Sequence, residues 1–205
     1  PSGVNDSELA QGLATVLAGS EISGADVASA ADIQNLADDY AALVTAAQDG
    51  TAASLSAAEY AAVGITGLTA DEAALLNDAM ANQTNNPALT LTELQGLADT
   101  VSRVMDTADD NVSDPIPALS RQALESLGLT GVTDENLNAV IDAIANLSGT
   151  VGADSLSKLQ GAVTTGQSNY NAALTIIEDY AKNDGGGSVP VADNFRLAGV
   201  DLSAP

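Results

Sequence analysis

Apolar residues recur along this chain at intervals of three and four. Ile33, Leu36, Ala37, Tyr40, Leu43, Val44 and Ala47 make one such run. Leu94, Leu97, Ala98, Val101, Val104, Met105 and Ala108 repeat it, every member 61 positions on, as 94 − 33 and 108 − 47 show. That spacing predicts two amphipathic helices, each with a single apolar stripe for a partner to cover. A second kind of helix carries Leu9, Leu13, Val16 and Leu17 near the start, and Leu137, Val140, Ile141 and Ile144 near the end. A third, short kind is expected over residues 56–63, 120–127 and 193–198, with Tyr60, Leu124 and Phe195 at one equivalent position as core anchors. In order along the chain these are helices A, B and C of a repeating unit.

The joint from one helix C to the next helix A is the most regular feature. Gly64-Ile65-Thr66-Gly67-Leu68-Thr69 returns as Gly128-Leu129-Thr130-Gly131-Val132-Thr133, at 128 − 64 = 64 and 131 − 67 = 64. Partial copies stand at Gly3-Val4-Asn5-Asp6 and Gly199-Val200-Asp201. The first glycine with the apolar residue after it predicts a Schellman stop, in which glycine takes positive φ and the next side chain packs back. Thr69-Ala70-Asp71-Glu72 predicts a capping box, with Leu68 stapled on Ala73. Asn5 with Glu8 (Val4 packing on Leu9) is the first copy. Thr133 with Val132 and Leu137 is the third, where Asn136 replaces the glutamate. Capping accounts for every letter except Gly67 and Gly131, which are expected at unusual φ.

In the third unit helix B, read over about 155–182, admits two registers. Leu159-Gln160-Gly161 matches Leu94-Gln95-Gly96, whereas Val163 through Tyr170 and Asp179 match Ile33 through Tyr40 and Asp49. The tyrosine-based register is the one favoured here. Pro87 falls between A and B, and Pro115, Pro117 and Pro190 fall between B and C, outside helix interiors where proline costs about 3 kcal/mol. The fold class is therefore all-α: three tandem three-helix repeats of about 64 residues, at 3–66, 67–130 and 131–202, packed as an elongated rod or shallow solenoid. The neighbouring repeats are the first partners of each unit.

Charge narrows the setting. The chain has 28 Asp and Glu against 5 Lys and Arg, for a net charge of −23. That excludes phosphate-tracking nucleic-acid binding and opposes anionic membrane surfaces. No apolar run of about 18 residues exists to insert into a bilayer. There is no Cys and no His, so disulfides, thiol chemistry and the commonest general base are absent. Aromatic residues make up 2%, so the core must come from Ala, Leu, Val and Ile. The Pro1-Ser2 start, without Met or a leader pattern, is expected of a segment cut from a larger protein.

No catalytic residue is assigned. Ser157 and Lys158 could form a dyad only if they faced each other, and adjacent helical residues do not. Gly185-Gly186-Gly187-Ser188 lacks the lysine of a phosphate loop and reads as a helix stop. Scattered carboxylates read as a solvated surface. Tyr40, Tyr60, Tyr170 and Tyr180 read as core anchors rather than a stacking platform. No cofactor is expected. The one cation candidate is Asp106, Asp109, Asp110, Asn111 and Asp114 after the second helix B, with Asp49-Gly50 and Asp179 or Asp184-Gly185 as counterparts; calcium favours such clustered oxygens. The spacing is not that of an EF-hand.

Tyr60-Ala61-Ala62-Val63-Gly64-Ile65-Thr66-Gly67-Leu68-Thr69, together with Ile33-Gln34-Asn35-Leu36-Ala37-Asp38-Asp39-Tyr40 in the preceding helix B, resembles the α-helical tandem repeats of giant bacterial surface proteins, of the RTX-type and biofilm-adhesin kind. The resemblance runs over essentially the whole chain. It implies an extracellular or cell-surface, non-enzymatic role in adhesion or spacing, and carries over no site residues. The alternative is a helical binding module engaging a host or matrix protein through an exposed helix face, with calcium assistance.

Overall fold

The computed structural model describes residues 6–18, 29–83, 90–109, 119–183, 185–200 and 202. They form α-helices, with no strand among them. The order is α1 (Asp6–Leu17), α2 (Ala30–Asp49), α3 (Ala57–Ala62), α4 (Ala70–Met80), α5 (Leu91–Ala108), α6 (Arg121–Ser126), α7 (Leu137–Ala145), α8 (Leu156–Lys182) and α9 (Ala192–Leu197), with a 3-10 turn at Thr150–Gly152 before α8. These helices stand at the sequence positions where the periodicity places helices A, B and C. Two compact units divide the chain. One holds Pro1–Ser102 with Asp154–Leu156, and the other Arg103–Ala153 with Ser157–Pro205. The division falls inside α5, so each C-to-A joint lies within one compact unit.

Local chemistry sets the helix starts. Ser29 with Asp32, Ser56 with Glu59, Thr69 with Glu72 and Thr90 with Glu93 each exchange a backbone N–H for a side-chain oxygen in both directions. Each box satisfies two N–H groups that the helix cannot bond internally. α6 has half a box, in which the Ala123 N–H donates to Ser120 Oγ. α9 also has half, because Val191 offers no acceptor and only its N–H reaches Asn194 Oδ1. The Asn5–Glu8 cap and the Val4–Leu9 staple lie outside the described residues and side chains.

All seven stripe positions of α5 are buried, Leu94 through Ala108. In α2 the buried residues are Leu36, Leu43, Ala46 and Ala47, and Ile33 departs from expectation at 41% exposure. It lies one turn before the first buried residue, at the end of the helix that its partners do not cover. Leu17 is likewise exposed at the end of α1, while Val16 is buried.

For α8 the structure corrects the favoured register. Its buried residues are Leu159, Ala162, Val163, Gly166 and Ala173. Each stands 65 positions after a buried member of the α5 stripe: 159 − 94, 162 − 97, 163 − 98, 166 − 101 and 173 − 108. This is the Leu159-Gln160-Gly161 register. It holds at five of the seven stripe positions; Asn169 and Tyr170, which stand 65 after Val104 and Met105, are exposed and half-buried.

With that register, one crossing of helices A and B can be compared in all three repeats. On helix A the equivalent residues are Gly12, Leu76 and Val140; on helix B they are Tyr40, Val101 and Gly166. A Cβ on Gly12 would lie 2.1 Å from Tyr40 Oη. A Cβ on Gly166 would lie 2.6 Å from Val140 Cα and 2.8 Å from Ala139 O. In the middle repeat, where neither residue is a glycine, Leu76 and Val101 are both fully buried. A large residue faces a glycine, in opposite senses, at the two outer crossings. Close-packed interiors require such volume compensation.

Candidate functional site

The joint is the feature the fold builds with most care. At the end of α3 the Ile65 N–H donates to Tyr60 O (2.9 Å) and the Gly64 N–H to Ala61 O (3.0 Å), with Gly64 at φ 92°. At the end of α6 the Leu129 N–H reaches Leu124 O (3.3 Å) and the Gly128 N–H reaches Glu125 O (2.9 Å), with φ 99°. α9 ends in the same way, Val200 N–H on Phe195 O (2.8 Å) and Gly199 N–H on Arg196 O (3.0 Å), with φ 79°. All three are Schellman stops. Gly67 and Gly131 both take φ 86°, the unusual backbone expected of them. Ile65 and Leu129 are plugs, 1% and 3% exposed.

The restart after each stop differs in one instructive way. The Thr69 N–H donates to Glu72 Oε2 (2.6 Å), and the Glu72 N–H to Thr69 Oγ1 (3.3 Å). In the third repeat the Thr133 N–H donates to Asn136 Oδ1 (2.8 Å) and the Asn136 N–H to Thr133 Oγ1 (3.2 Å). Asn136 adds a bond no glutamate could make, from Nδ2 to Gly131 O (2.9 Å). It ties the cap to the second glycine of the joint. Residues 134–136 are a turn, and α7 itself begins at Leu137, three residues later than a helix capped directly by Thr133.

Two polar clamps hold helices A to their neighbours. On α4, Asn77 Oδ1 accepts from Tyr60 Oη (2.9 Å) and from the Leu55 N–H (3.1 Å), while Nδ2 donates to Leu55 O (2.8 Å). The Ala53 N–H donates to the Asn77 carbonyl (3.0 Å). One side chain thus pins both the loop before α3 and the ring anchoring it. Burial pushes the Tyr60 hydroxyl well above its usual range, so it stays a donor. On α9, the Arg196 guanidinium forks onto both oxygens of Asp142 of α7 and also reaches Asp193 Oδ1. Its hydrogen bonds to these carboxylates raise its pKa further. Asn138 Nδ2 donates to Arg196 O (3.2 Å).

Acidic groups are distributed rather than focused. Asp39 is pushed above the usual carboxylate range, first by burial and then by the charges of Glu59 and Asp38. Glu59 is held below it by the Ser56 hydroxyl and N–H. Of the calcium candidate, Asp106 and Asp109 are exposed at the end of α5, and Asp110, Asn111 and Asp114 lie outside the described residues. Asp49 closes α2 and Asp179 is exposed on α8, while Asp184 again lies outside. Among the described residues no three Asp, Glu, His or Cys side chains come together as a metal site.

The other candidates resolve structurally. Ser157 and Lys158 are successive residues of α8, turned roughly 100° apart about its axis, and Lys158 Nζ donates to Val151 O (2.7 Å). Gly185, at φ 82°, closes the end of α8 through its N–H on Tyr180 O (2.9 Å). Tyr60 is fully buried, and Tyr40, Tyr170 and Tyr180 are half-buried. Among the described residues no helix is long and apolar enough to cross a membrane.

The chain matches no family model, no curated protein and no solved structure. The class the fold defines, over the described residues, is all-α.

Proposed function

We propose that this chain is a non-catalytic extender: three helical repeats from a large bacterial surface or secreted protein of adhesin type, which space other domains away from the cell. The observation that carries this reading is the joint. Stop, plug, second glycine and cap recur with matching torsions at 64–69 and 128–133, and the stop recurs at Gly199. A joint of this kind passes one fixed geometry from repeat to repeat and leaves no free linker, which is what a spacer needs. The high negative charge supports it too, since a surface of one sign keeps neighbouring chains apart.

Small-angle scattering in solution tests the proposal. An elongated particle, long relative to a globule of this mass, is expected; a compact globule would sink it. The second reading, a helical binding module, draws on the exposed Val189, Val191, Val200 and Leu202. An unchanged melt in EDTA would remove its calcium-assisted form.

A further inference from the structure

Each helix B carries a glutamine directly after its first stripe residue: Gln34 on α2, Gln95 on α5 and Gln160 on α8, at 95 − 34 = 61 and 160 − 95 = 65. Two of the three are held alike. Gln34 Nε2 donates to Asp38 Oδ1 (2.8 Å) and Gln95 Nε2 to Asp99 Oδ1 (2.8 Å), each one turn along its own helix. On α8 the place of that aspartate is taken by Thr164, whose hydroxyl donates to the Gln160 carbonyl (2.9 Å). The Gln160 amide reaches the joint instead. Its Oε1 accepts from the Thr130 N–H (3.0 Å) and from the Thr130 hydroxyl (3.4 Å), and its Nε2 donates to Thr130 O (2.9 Å). The side chain pairs both backbone groups of Thr130, as the facing residue of a strand pair would. Thr66 is the same letter of the first joint, at 130 − 66 = 64; it is exposed, and Gln95 is turned to Asp99. The two second glycines differ in the same sense. A Cβ on Gly131 would lie 3.9 Å from Val163 Cγ1 and Gln167 Oε1 of α8, whereas one on Gly67 meets nothing within 4 Å.

We infer that this glutamine is a latch on the joint, and that the residue four positions after it decides whether the latch is closed. Aspartate at that place holds the amide on helix B and leaves the joint unlatched, as at Thr66. Threonine turns its hydroxyl back onto the helix and releases the amide to the joint, as at Thr130. The preference has a physical cause. A carboxylate is a charge-assisted acceptor, roughly twice as strong as a neutral one, so an amide within reach of both goes to the carboxylate. A threonine hydroxyl bonded to the carbonyl one turn back makes no claim on that amide. The two joints therefore share their torsions and differ in what restrains them: the first yields, and the second is locked to the helix B that follows it. This goes beyond the extender reading, which needs the joints only to share one geometry.

Amide hydrogen exchange in the full chain, resolved at Thr66 and Thr130, tests the latch. Asp99→Thr should release Gln95 and slow exchange at Thr66 roughly fivefold, the size of effect that one net hydrogen bond produces. Adding Gln95→Ala to that variant should remove the gain. Thr164→Asp should draw Gln160 back along α8 and speed exchange at Thr130 by a similar factor, to the level of Gln160→Ala. Asp99 and Thr164 are both exposed, so the core is untouched, and circular dichroism checks that each variant keeps its helices. Unchanged exchange at Thr130 in Thr164→Asp, or at Thr66 in Asp99→Thr, overturns the inference. A gain at Thr66 that survives Gln95→Ala overturns it as well, by tracing the effect to the lost charge. A compact particle in scattering would sink the extender proposal and leave these results standing.

Discussion

The approach of α8 to α7 makes a sharp prediction, because two glycines on one helix should respond to alanine with opposite sign. Gly161 has nothing within 4 Å of an added Cβ. Replacing it with Ala should gain the helix-propensity difference, about 0.8–1.0 kcal/mol. Gly166 would gain the same on propensity, but its Cβ would lie 2.6 Å from Val140 Cα and 2.8 Å from both Ala139 O and Val140 N. Carbon atoms pack at about 3.5–4.0 Å, so the helices must separate by roughly 1 Å. The opposing atoms are backbone and cannot rotate away. Overpacking of this kind costs about 1–3 kcal/mol, and here the upper half of that range applies. Gly166→Ala should therefore destabilise by about 1–2 kcal/mol net, and the two variants should differ by about 2–3 kcal/mol.

Urea titration followed by far-UV circular dichroism reads this difference as a shift in midpoint at constant slope. Gly161, Gly166 and Val140 all belong to the second compact unit. Both substitutions therefore act on the same transition even if the units unfold separately. Gly12→Ala is an internal comparison. The obstruction there is the Tyr40 ring, with Oη at 2.1 Å and Cε1 at 2.4 Å, and a half-buried ring can swing aside. Its cost should fall between the other two. Equal stabilisation by Gly161→Ala and Gly166→Ala would refute the close approach, and with it the register that aligns Gly166 with Val101.

Asn77→Leu should cost about 2–4 kcal/mol, because Tyr60 Oη and both backbone groups of Leu55 lose their partner; a double-mutant cycle with Tyr60→Phe should recover part of that, and strict additivity would argue against the clamp. Gly64→Val should lower stability by about 1–2 kcal/mol from backbone strain alone, since its Cβ meets nothing and its φ is 92°; Gly64→Asn should cost less, and an unchanged melt for the Val variant would sink the stop. Asp39 titrates above its unfolded value, so the folded state holds the proton more tightly: its ionisation is a penalty present above the folded pKa and absent below the unfolded one. Asp39→Asn should therefore be more stable than the parent at neutral pH and indistinguishable below the usual aspartate range. Denaturant midpoints at the two pH values decide it, and no difference at neutral pH would contradict the assignment.

The joint was legible because its letters act locally. A glycine at positive φ, the plug after it and a Thr-x-x-Glu box each depend on a few neighbouring residues, and the structure builds them at 64–72 as the sequence implies. The α5 stripe was legible for a similar reason: all seven of its positions face inward, so period alone identifies them. The register of α8 was not. Its decisive residue is Gly166, whose contribution is the side chain it lacks, and hydrophobic periodicity counts a glycine as a gap. Tyr170 drew the alignment instead because a shared aromatic looks more informative than a shared absence. The clamps were hidden by distance. Asn77 stands where the other helices A carry Leu13 and Ile141, so it reads as an interruption until Tyr60 is seen beneath it. Arg196 and Asp142 are 54 residues apart, and no local pattern pairs them.

One physical line separates the positions at which such a chain can vary from those at which it cannot. Backbone torsion at the joint leaves little choice of residue, and Gly64, Gly128 and Gly199 answer it identically. The A–B crossing leaves a choice, because only the summed volume is constrained. Gly12 with Tyr40 and Val140 with Gly166 are two answers to the same space. The anchor of helix C leaves another, since Tyr60 with Asn77 keeps a polar pair satisfied where Leu124 and Ile141 need none. A chain built this way can change its cores repeat by repeat while the turn between repeats stays fixed. Substitutions at the crossing should therefore be rescued by a compensating change on the facing helix, and substitutions at the joint glycines should not.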